Sequence, residues 1–250
     1  MAQHVERVES FFHDPKPYLS RRYNIRIRAE TVREMLGDRR PTDILDLGCG
    51  DGSLSLPLLN EQSRLTLVDV TEGMLAEARS RVPAELADRV TTILGDLNAV
   101  DLPPESFDLV LCMGVLAHVE SPEAVIDKLC TLLRPGGMMI VTVSSGAHVM
   151  GWLRKMYMRV KDAIKPPPYR LKWLSTRAVL DAFRRRGLVP VASFRYNFPA
   201  PGLVQLLPND RLYKNIRLIH GNASRNRLSW LGSECIFALN HAATPVGAGR

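Results

Sequence analysis

The chain has 250 residues, a length that suits one α/β domain or one domain with an appendage. Its composition, 46% hydrophobic and 24% charged, is that of an ordinary globular protein and excludes global disorder, a collagen-like repeat and a disulfide scaffold. The net charge of +7 hides an uneven distribution: residues 41–150 hold 6 Lys and Arg against 16 Asp and Glu, whereas residues 151–250 hold 18 against 4.

The acidic middle of the chain alternates strand-like with helix-like segments. Apolar runs predict strands at 43–47, 64–69, 89–94, 107–112 and 138–143. Helices are predicted at 53–59, from a cap at Thr71 to a stop at Pro83, and from Ser121 to Leu133. This alternation indicates a doubly wound parallel α/β sheet, in which ligands bind at the carboxyl ends of the strands.

The last hundred residues follow a different pattern. Residues 152–164 carry apolar side chains on one side and Lys and Arg around them, which predicts a basic amphipathic helix. Three roles stay open for this helix. It could be a lid over the pocket that binds the acceptor substrate, a helix that lies on a membrane surface, or a helix that only faces solvent. A further helix is predicted at 175–186, where Arg184–Arg186 complement its dipole, and strands at 188–194 and 234–239. Residues 197–232 between these strands are expected to be irregular.

The sequence contains none of the usual signs of a membrane, secreted or metal-binding protein. No uncharged apolar stretch reaches the roughly 18–20 residues of a membrane-spanning helix, and the first 14 residues lack the apolar core of a secretory signal. The four cysteines form neither a CxxC pair nor a zinc-like spacing. We therefore predict no metal site and expect reduced thiols in a cytoplasmic protein.

A glycine-rich turn follows the first predicted strand. Gly48, Gly50 and Gly52 occupy alternate positions, which allows a tight turn and a close approach of a ligand to the backbone. A nicotinamide dinucleotide site would have the spacing GxGxxG. Asp46 precedes the turn, and its carboxylate would repel a pyrophosphate but suits a cationic ligand.

Acidic residues also end the next two strands. Asp69 ends the second strand, where a carboxylate can accept hydrogen bonds from both ribose hydroxyls, and Asp96 follows the third, where it can accept from an adenine amino group. A buried carboxylate without a partner is costly, so three structural acids lining one crevice would be an unusual coincidence.

Five segments in chain order, covering about residues 40–145, carry a family resemblance. They are DLGCGDG at 46–52, VDVTEGML at 68–75, Gly95-Asp96, FDLVLCMGVLAHV at 107–119 and LRPGGMMIV at 133–141. Together they resemble class I S-adenosylmethionine (SAM)-dependent methyltransferases of the branch that modifies small molecules. The resemblance implies a Rossmann-like sheet of seven mostly parallel strands, with an antiparallel last strand and helical cap insertions.

The resemblance also implies how one domain is organised. Residues 1–40 would form an N-terminal helical lid segment, 41–150 the SAM-binding core, and 151–250 a basic acceptor-side segment with the final strands. In the lid, Tyr18 and Arg22 are candidates for contact with SAM.

The remaining cofactor residues are implied by their positions in the family motifs. Asp46, Gly48, Cys49 and Gly50 would surround the methionine part of SAM. Asp69 would hold the ribose, Val70 and Met74 would flank the adenine, and Asp96 with Leu97 would face its amino edge. Cys112 and Met113 would lie near the methyl sulfonium.

Two histidines are candidates for the acceptor side. His118 follows the fourth predicted strand and His148 the fifth, so each is placed to contact the acceptor or act as a general base. Packing at a helix start is the alternative role for His118.

We therefore expect a methyltransferase that moves a methyl group from SAM to an oxygen or nitrogen of a small-molecule acceptor, leaving S-adenosylhomocysteine (SAH). The basic last hundred residues favour an anionic, biosynthetic acceptor, and no DNA partner is expected. Other interpretations stay open: an RNA or membrane-associated lipid methyltransferase that uses the basic region, or a non-catalytic partner protein with the same fold.

Overall fold

The computed structural model describes residues 20–145, 174–197 and 207–242, together with residues 156, 159, 160, 163 and 172. Several sequence predictions lie outside the described residues: Tyr18, His148, most of the basic segment 152–164 and the stretch 198–206 of the predicted insertion. They stay predictions.

Seven strands form one sheet in the described part of the chain. They are β1 (Asp43–Leu47), β2 (Arg64–Asp69), β3 (Val90–Leu94), β4 (Phe107–Cys112), β5 (Leu133–Ser144), β6 (Leu188–Tyr196) and β7 (Glu234–His241). Their order is β3-β2-β1-β4-β5-β7-β6. Strands β1 to β5 pair in parallel, whereas β7 runs antiparallel to both β5 and β6. The predicted doubly wound, Rossmann-like sheet with an antiparallel last strand is confirmed.

Helices cover both faces of this sheet. They are α1 (Arg22–Leu36), α2 (Glu72–Ser80), α3 (Pro122–Leu132), α4 (Thr176–Arg185) and α5 (Asn209–His220). Apolar residues of α3 and α4 pack on one face, and those of α1, α2 and α5 pack on the other. Fully buried residues such as Ile27 and Phe183 stabilise these layers by about 1.5–3 kcal/mol each. No helix among the described residues is long and apolar enough to cross a membrane.

The helix predicted at 53–59 is wrong. The structure contains only a short 3₁₀ turn there, Leu56–Leu58, with Pro57 inside it. Proline lacks the N–H that a helix needs. In addition, the hydroxyls of Ser53 and Ser55 donate hydrogen bonds to the carboxylates of Asp51 and Asp46, a local alternative to helical pairing.

Strand β5 begins five residues earlier than predicted. Leu133 already pairs with Phe107 of β4, and the pairing resumes at Met138 opposite Leu109 after a shift in register. Residues 134–137 (Arg-Pro-Gly-Gly) therefore form an irregularity within β5 and not a connection between α3 and the strand. Gly136, with φ +80°, allows the bend.

The insertion 197–232 is not irregular throughout, because it contains α5. This helix is amphipathic: it buries Leu212 and Ile216 and ends at Gly221. It packs against α1 through polar contacts as well. The side chain of Asn209 accepts a hydrogen bond from the backbone N–H of Tyr23 and donates one to the carbonyl of Ser20.

The arginines at the end of α4 do more than complement a helix dipole. Arg185 forms a 3.0 Å ion pair with Glu123 of α3, and Arg186 hydrogen-bonds Asp127 one turn further along that helix. Arg184 pairs with Asp181 within α4. These charges therefore connect neighbouring helices.

We predict that the ion pairs between α1 and α5 stabilise the fold. Arg217 lies 2.9 Å from Glu30 and 3.1 Å from Glu34, and its side chain is mostly buried. Arg217→Ala should lower the free energy of unfolding by about 1–3 kcal/mol, because both carboxylates lose a charged donor. The exposed Arg211 of the same helix is the matched control, and Arg211→Ala should stay within about 0.5 kcal/mol of the parent. Urea denaturation followed by circular dichroism measures both; equal effects would contradict the assignment.

Candidate functional site

The carboxyl ends of β1, β2, β3 and β4 lie side by side at one edge of the sheet. The glycine-rich turn after β1 crosses this edge towards β2, because the N–H groups of Gly48 and Cys49 donate to the carbonyl of Val68 at 2.8 and 3.0 Å. Gly48 has φ +76°, and a Cβ there would collide with the side chain of Val115, which follows β4. Only glycine therefore allows the turn to pack against both neighbouring strands.

Asp46 is the most deeply buried charged group of this edge that has no cationic partner among the described residues. It is 1% exposed, and its Oδ2 accepts a 2.6 Å hydrogen bond from the hydroxyl of Ser55. Its Oδ1 has no hydrogen-bond partner in the described part of the chain. Burial raises the pKa of Asp46 to about 7; the Ser55 hydrogen bond opposes this rise, and the nearby Asp69 and Asp51 add to it.

Asp51, two residues after Cys49 in the same turn, was not singled out as a site residue from the sequence. It is fully buried but, unlike Asp46, it forms an ion pair with Arg81 just after α2. It also accepts hydrogen bonds from the backbone and hydroxyl of Ser53. We assign Asp51 to holding the turn in place.

The carboxylate of Asp69 connects the ends of β1 and β2. Its Oδ2 accepts from the N–H of Gly50, and its Oδ1 accepts from the N–H of Thr71, both at 2.9 Å. Burial raises the pKa of Asp69, although the backbone donors oppose the rise. Each carboxylate oxygen has two acceptor positions, so both oxygens retain capacity for ligand hydroxyls.

Thr71 occupies the predicted N-cap position of α2, but the predicted capping bond is absent. Its side chain makes no cap hydrogen bond with the backbone of the helix. Asp69 binds the Thr71 backbone instead, and this contact fixes the start of the helix.

Asp96 lies beside Asp69, as the sequence predicted. The N–H of Gly95 donates to the backbone carbonyl of Asp69 at 3.0 Å, which joins the ends of β2 and β3. Asp96 Oδ1 accepts from the backbone and side-chain nitrogens of Asn98 in a local turn. Leu97 is buried among the apolar residues on the face of the sheet that α3 and α4 cover.

The other predicted cofactor residues border the same edge. Val70 is half-buried after β2, and Met74 is buried in the first turn of α2. Met113, directly after β4, accepts a 3.2 Å hydrogen bond at its sulfur from the Thr142 hydroxyl of β5. These side chains therefore lie directly after the carboxyl ends of β2 and β4.

The two cysteines of the site are not nucleophiles. Burial, with the nearby Asp46 and Asp69 charges, raises the pKa of Cys49 far above its usual value. Burial and Asp46 do the same to the pKa of Cys112. Both thiols therefore stay protonated at neutral pH, and covalent catalysis through either of them is disfavoured.

The remaining candidates differ in how the structure places them. His118 is half-buried in the turn after β4, where its backbone N–H donates to the backbone carbonyl of Val115. Arg22 is exposed at the first position of α1, and its side chain forms no hydrogen bond or ion pair with the described residues. The structure therefore places His118 directly after β4, and the contact of Arg22 with SAM stays a prediction.

These features describe the ligand that the edge can bind. A buried carboxylate without a cation favours a positive group, the carboxylates of Asp69 and Asp96 can accept hydroxyl or amino donors, and the glycines allow close approach. The residues present therefore fit SAM, which carries an ammonium, a sulfonium, two ribose hydroxyls and an adenine amino group.

Sequence comparisons agree with this chemistry. Residues 44–137 match a family described as "Methyltransferase domain". A ubiquinone biosynthesis O-methyltransferase from Idiomarina loihiensis is 28% identical over 158 residues, covering 58% of this chain and 64% of that protein. One from Xylella fastidiosa is 29% identical over 168 residues, covering 62% and 66%. The chain thus spans slightly less than two thirds of the length of these relatives.

Two solved structures share the fold along nearly the whole chain. A SAM-dependent methyltransferase from Thermotoga maritima, described as a possible histamine N-methyltransferase, gives a TM-score of 0.66 at 18% identity, covering 95% of this chain and 99% of that one. Magnesium protoporphyrin IX methyltransferase from Synechocystis, crystallised with SAH, gives 0.65 at 18% identity, covering 96% and 100%. At this identity the similarity establishes the fold alone.

We predict opposite effects on stability for the two buried acids of the turn. The pKa of Asp46 in the folded protein, about 7, exceeds its ordinary value of 3.8, so the folded state binds more protons and becomes less stable as pH rises between these values. Asp46→Asn should therefore raise the free energy of unfolding at pH 8 by about 2–4 kcal/mol and have a smaller effect at pH 5.

Asp51→Asn is the matched variant. It should lower stability by about 1–3 kcal/mol at pH 8, because the buried ion pair with Arg81 is lost and Arg81 keeps only Glu77 as a partner. Both values come from urea denaturation of the protein without added ligand. Destabilisation by Asp46→Asn at pH 8 would show that the Asp46 charge is already compensated.

Proposed function

We propose that this chain, whose residues 44–137 form a class I SAM-dependent methyltransferase domain, transfers a methyl group from SAM to an oxygen or nitrogen of a small-molecule acceptor. The observation that carries the proposal is the buried carboxylate of Asp46, which has no cationic partner in the described structure and lies beside a glycine turn. The ammonium and sulfonium groups of SAM would supply the missing positive charge.

Each end of the cofactor has residues suited to it. Asp46 and the turn from Gly48 to Gly50 would hold the amino-acid part, and Asp69 would accept from the ribose hydroxyls. Val70, Met74 and Leu97 would enclose the adenine, with Asp96 as acceptor for its amino group. Cys112 and Met113 would border the sulfonium.

When bound, SAM supplies an electrophilic methyl group. The protein's part is to hold the acceptor atom in line with that group and to exclude water. Alignment of two bound reactants lowers a barrier by roughly 7–11 kcal/mol, so no covalent intermediate is needed. The protonated Cys49 and Cys112 thiols support this direct route. The proton of the acceptor leaves to water or to a general base, for which His118 is the candidate among the described residues.

Oxygen is the favoured acceptor atom. The two relatives described above are both named ubiquinone biosynthesis O-methyltransferases, and their alignments cover 58% and 62% of this chain. A phenolic or carboxylic oxygen of a small molecule is the acceptor class that this relationship supports.

An RNA acceptor has less support. Several arginines that make the last hundred residues basic form ion pairs within the protein, including Arg185, Arg186 and Arg217. They are therefore not available as a continuous phosphate-binding surface. The positive charge of this region is in part an internal structural feature.

The cofactor assignment predicts the effect of removing Asp69. Asp69→Ala should weaken SAH binding by about 10- to 100-fold. The variant lacks both the carboxylate that would accept from the ribose hydroxyls and the hydrogen bond that holds the N–H of Gly50. Asp101→Ala, an exposed acid in the loop after β3, should leave the affinity unchanged. Isothermal titration calorimetry measures both. Equal affinities of the two variants would contradict the assigned role of Asp69, and undetectable SAH binding by the unmodified protein would contradict the proposed function.

A further inference from the structure

Helix α5 buries one face against the protein and exposes the other. Leu212 and Ile216 are buried on the inner face. The exposed residues recur at the spacing of one side of a helix; they are Arg211, Lys214, Asn215 and Leu218. Leu218 is therefore an apolar side chain on the outer, otherwise polar side of this helix.

The loop after α5 folds back against the end of the helix. The backbone N–H of Arg227 donates a 2.8 Å hydrogen bond to the carbonyl of His220, the last residue of α5. This contact returns Leu228 towards the helix end that carries Leu218. Trp230 follows in a short 3₁₀ turn.

Three large apolar side chains are exposed in this short part of the chain. They are Leu218, Leu228 and Trp230, which are 74%, 47% and 66% exposed. Single apolar residues are common on protein surfaces, whereas a group of them rimmed by polar residues marks a binding surface. Tryptophan is also a residue that membrane proteins place at the boundary between lipid and water.

The backbone of Leu228 supports a role for its exposed side chain. Leu228 has φ +44° and ψ +34°, in the left-handed region that residues other than glycine seldom adopt. Asparagine would adopt this conformation at a lower cost and would also suit an exposed position. A strained backbone that presents a leucine to solvent is therefore best explained by a partner that covers the leucine.

The same part of the chain is strongly basic. Asp210 is the only acid within residues 209–232, which hold five Lys and Arg. Arg217 is paired internally with Glu30 and Glu34. The other four are exposed and form no ion pair with the described residues; they are Arg211, Lys214, Arg225 and Arg227. These four cations and the three exposed apolar residues together form what we call the α5 surface.

We propose that the α5 surface docks this protein onto bilayers that contain anionic phospholipids. The cations lie at the level of the phosphate headgroups, and the apolar side chains enter the boundary between headgroups and acyl chains. Negative lipid charge is complementary to the four cations, and hydrocarbon is complementary to Leu218, Leu228 and Trp230. The inference goes beyond the proposed methyl transfer and does not rest on it.

A nucleic acid fits the α5 surface less well than a bilayer. Its phosphates would pair with the four cations, but Leu218 and Leu228 would gain little from contact with a hydrated sugar-phosphate backbone. A bilayer covers both kinds of residue at once. Charge and apolar insertion therefore contribute separately, and variants of each kind can distinguish the two partners.

The test measures binding of the full chain to lipid vesicles by co-sedimentation. One set of vesicles contains phosphatidylcholine alone, and the other also contains one quarter phosphatidylglycerol. The unmodified protein should bind the anionic vesicles at least about tenfold more tightly, because each Lys or Arg near an anionic bilayer adds to the attraction. Added salt should weaken this binding through screening.

A double variant tests the charged part of the surface. Arg211→Gln combined with Lys214→Gln should weaken binding to the anionic vesicles by about 10- to 30-fold. Arg177→Gln is the matched control, because Arg177 is an exposed arginine of α4, which packs on the opposite face of the sheet. It should change the affinity by less than about twofold.

Leu228→Asn tests the apolar part without weakening the fold. Asparagine adopts the left-handed conformation more readily than leucine, so the unfolding temperature should stay the same or rise. Binding to the anionic vesicles should nevertheless fall by about three- to tenfold, because an apolar side chain no longer enters the bilayer. Leu94→Asn replaces a leucine of similar exposure at the opposite edge of the sheet and should bind as the unmodified protein does.

The inference is overturned if the unmodified protein does not prefer anionic vesicles, including the case in which it binds neither kind. Equal binding by the surface variants and their controls would overturn it too. Binding of poly(U) that depends on Arg211 and Lys214, together with vesicle binding that Leu228→Asn leaves unchanged, would assign the surface to a nucleic acid instead. Vesicle binding is measured without SAM, and SAH affinity is measured separately, so failure of the proposed function is a different result.

Discussion

A buried carboxylate without a cationic partner, that of Asp46, is the constraint around which the carboxyl edge of the sheet is arranged. Its burial alone would favour the protonated form, and two further acids in contact range increase that tendency. The neighbouring Asp51 has Arg81 as its partner, whereas Asp46 has only the hydroxyl of Ser55. A fold that keeps such a group carries a cost in stability, which binding of a cation offsets.

The buried acids of the crevice and the internal ion pairs of the basic segment explain the uneven charge of the sequence better than a nucleic-acid partner does. The acidic residues of the middle of the chain include the crevice around Asp46 and Asp69. The basic last hundred residues contribute arginines such as Arg186 and Arg217 to internal ion pairs.

The sheet and the cofactor-side acids were predictable because they depend on local patterns: apolar runs, a glycine turn and an acid at each strand end. The bounds of β1 to β4 agree with these patterns to within one residue, whereas β5 starts five residues early and β6 and β7 each end two residues late. The predicted helix 53–59 does not form because Pro57 lies within the segment and the hydroxyls of Ser53 and Ser55 bind the nearby buried carboxylates of Asp51 and Asp46. The ion pair between Arg28 and Glu234 could not be found from spacing, since 206 residues separate two side chains that the sheet brings to 3.7 Å.

The pH dependence of SAH affinity tests the central role of Asp46 most directly. With a pKa of about 7, Asp46 is largely protonated at pH 6 and ionised at pH 8, so affinity for the ammonium-bearing SAH should rise by up to about tenfold between these values. Asp46→Asn should bind SAH weakly and lose this rise, and the comparison removes any titration of the ligand itself. An equal pH dependence in the variant and the unmodified protein would contradict the account.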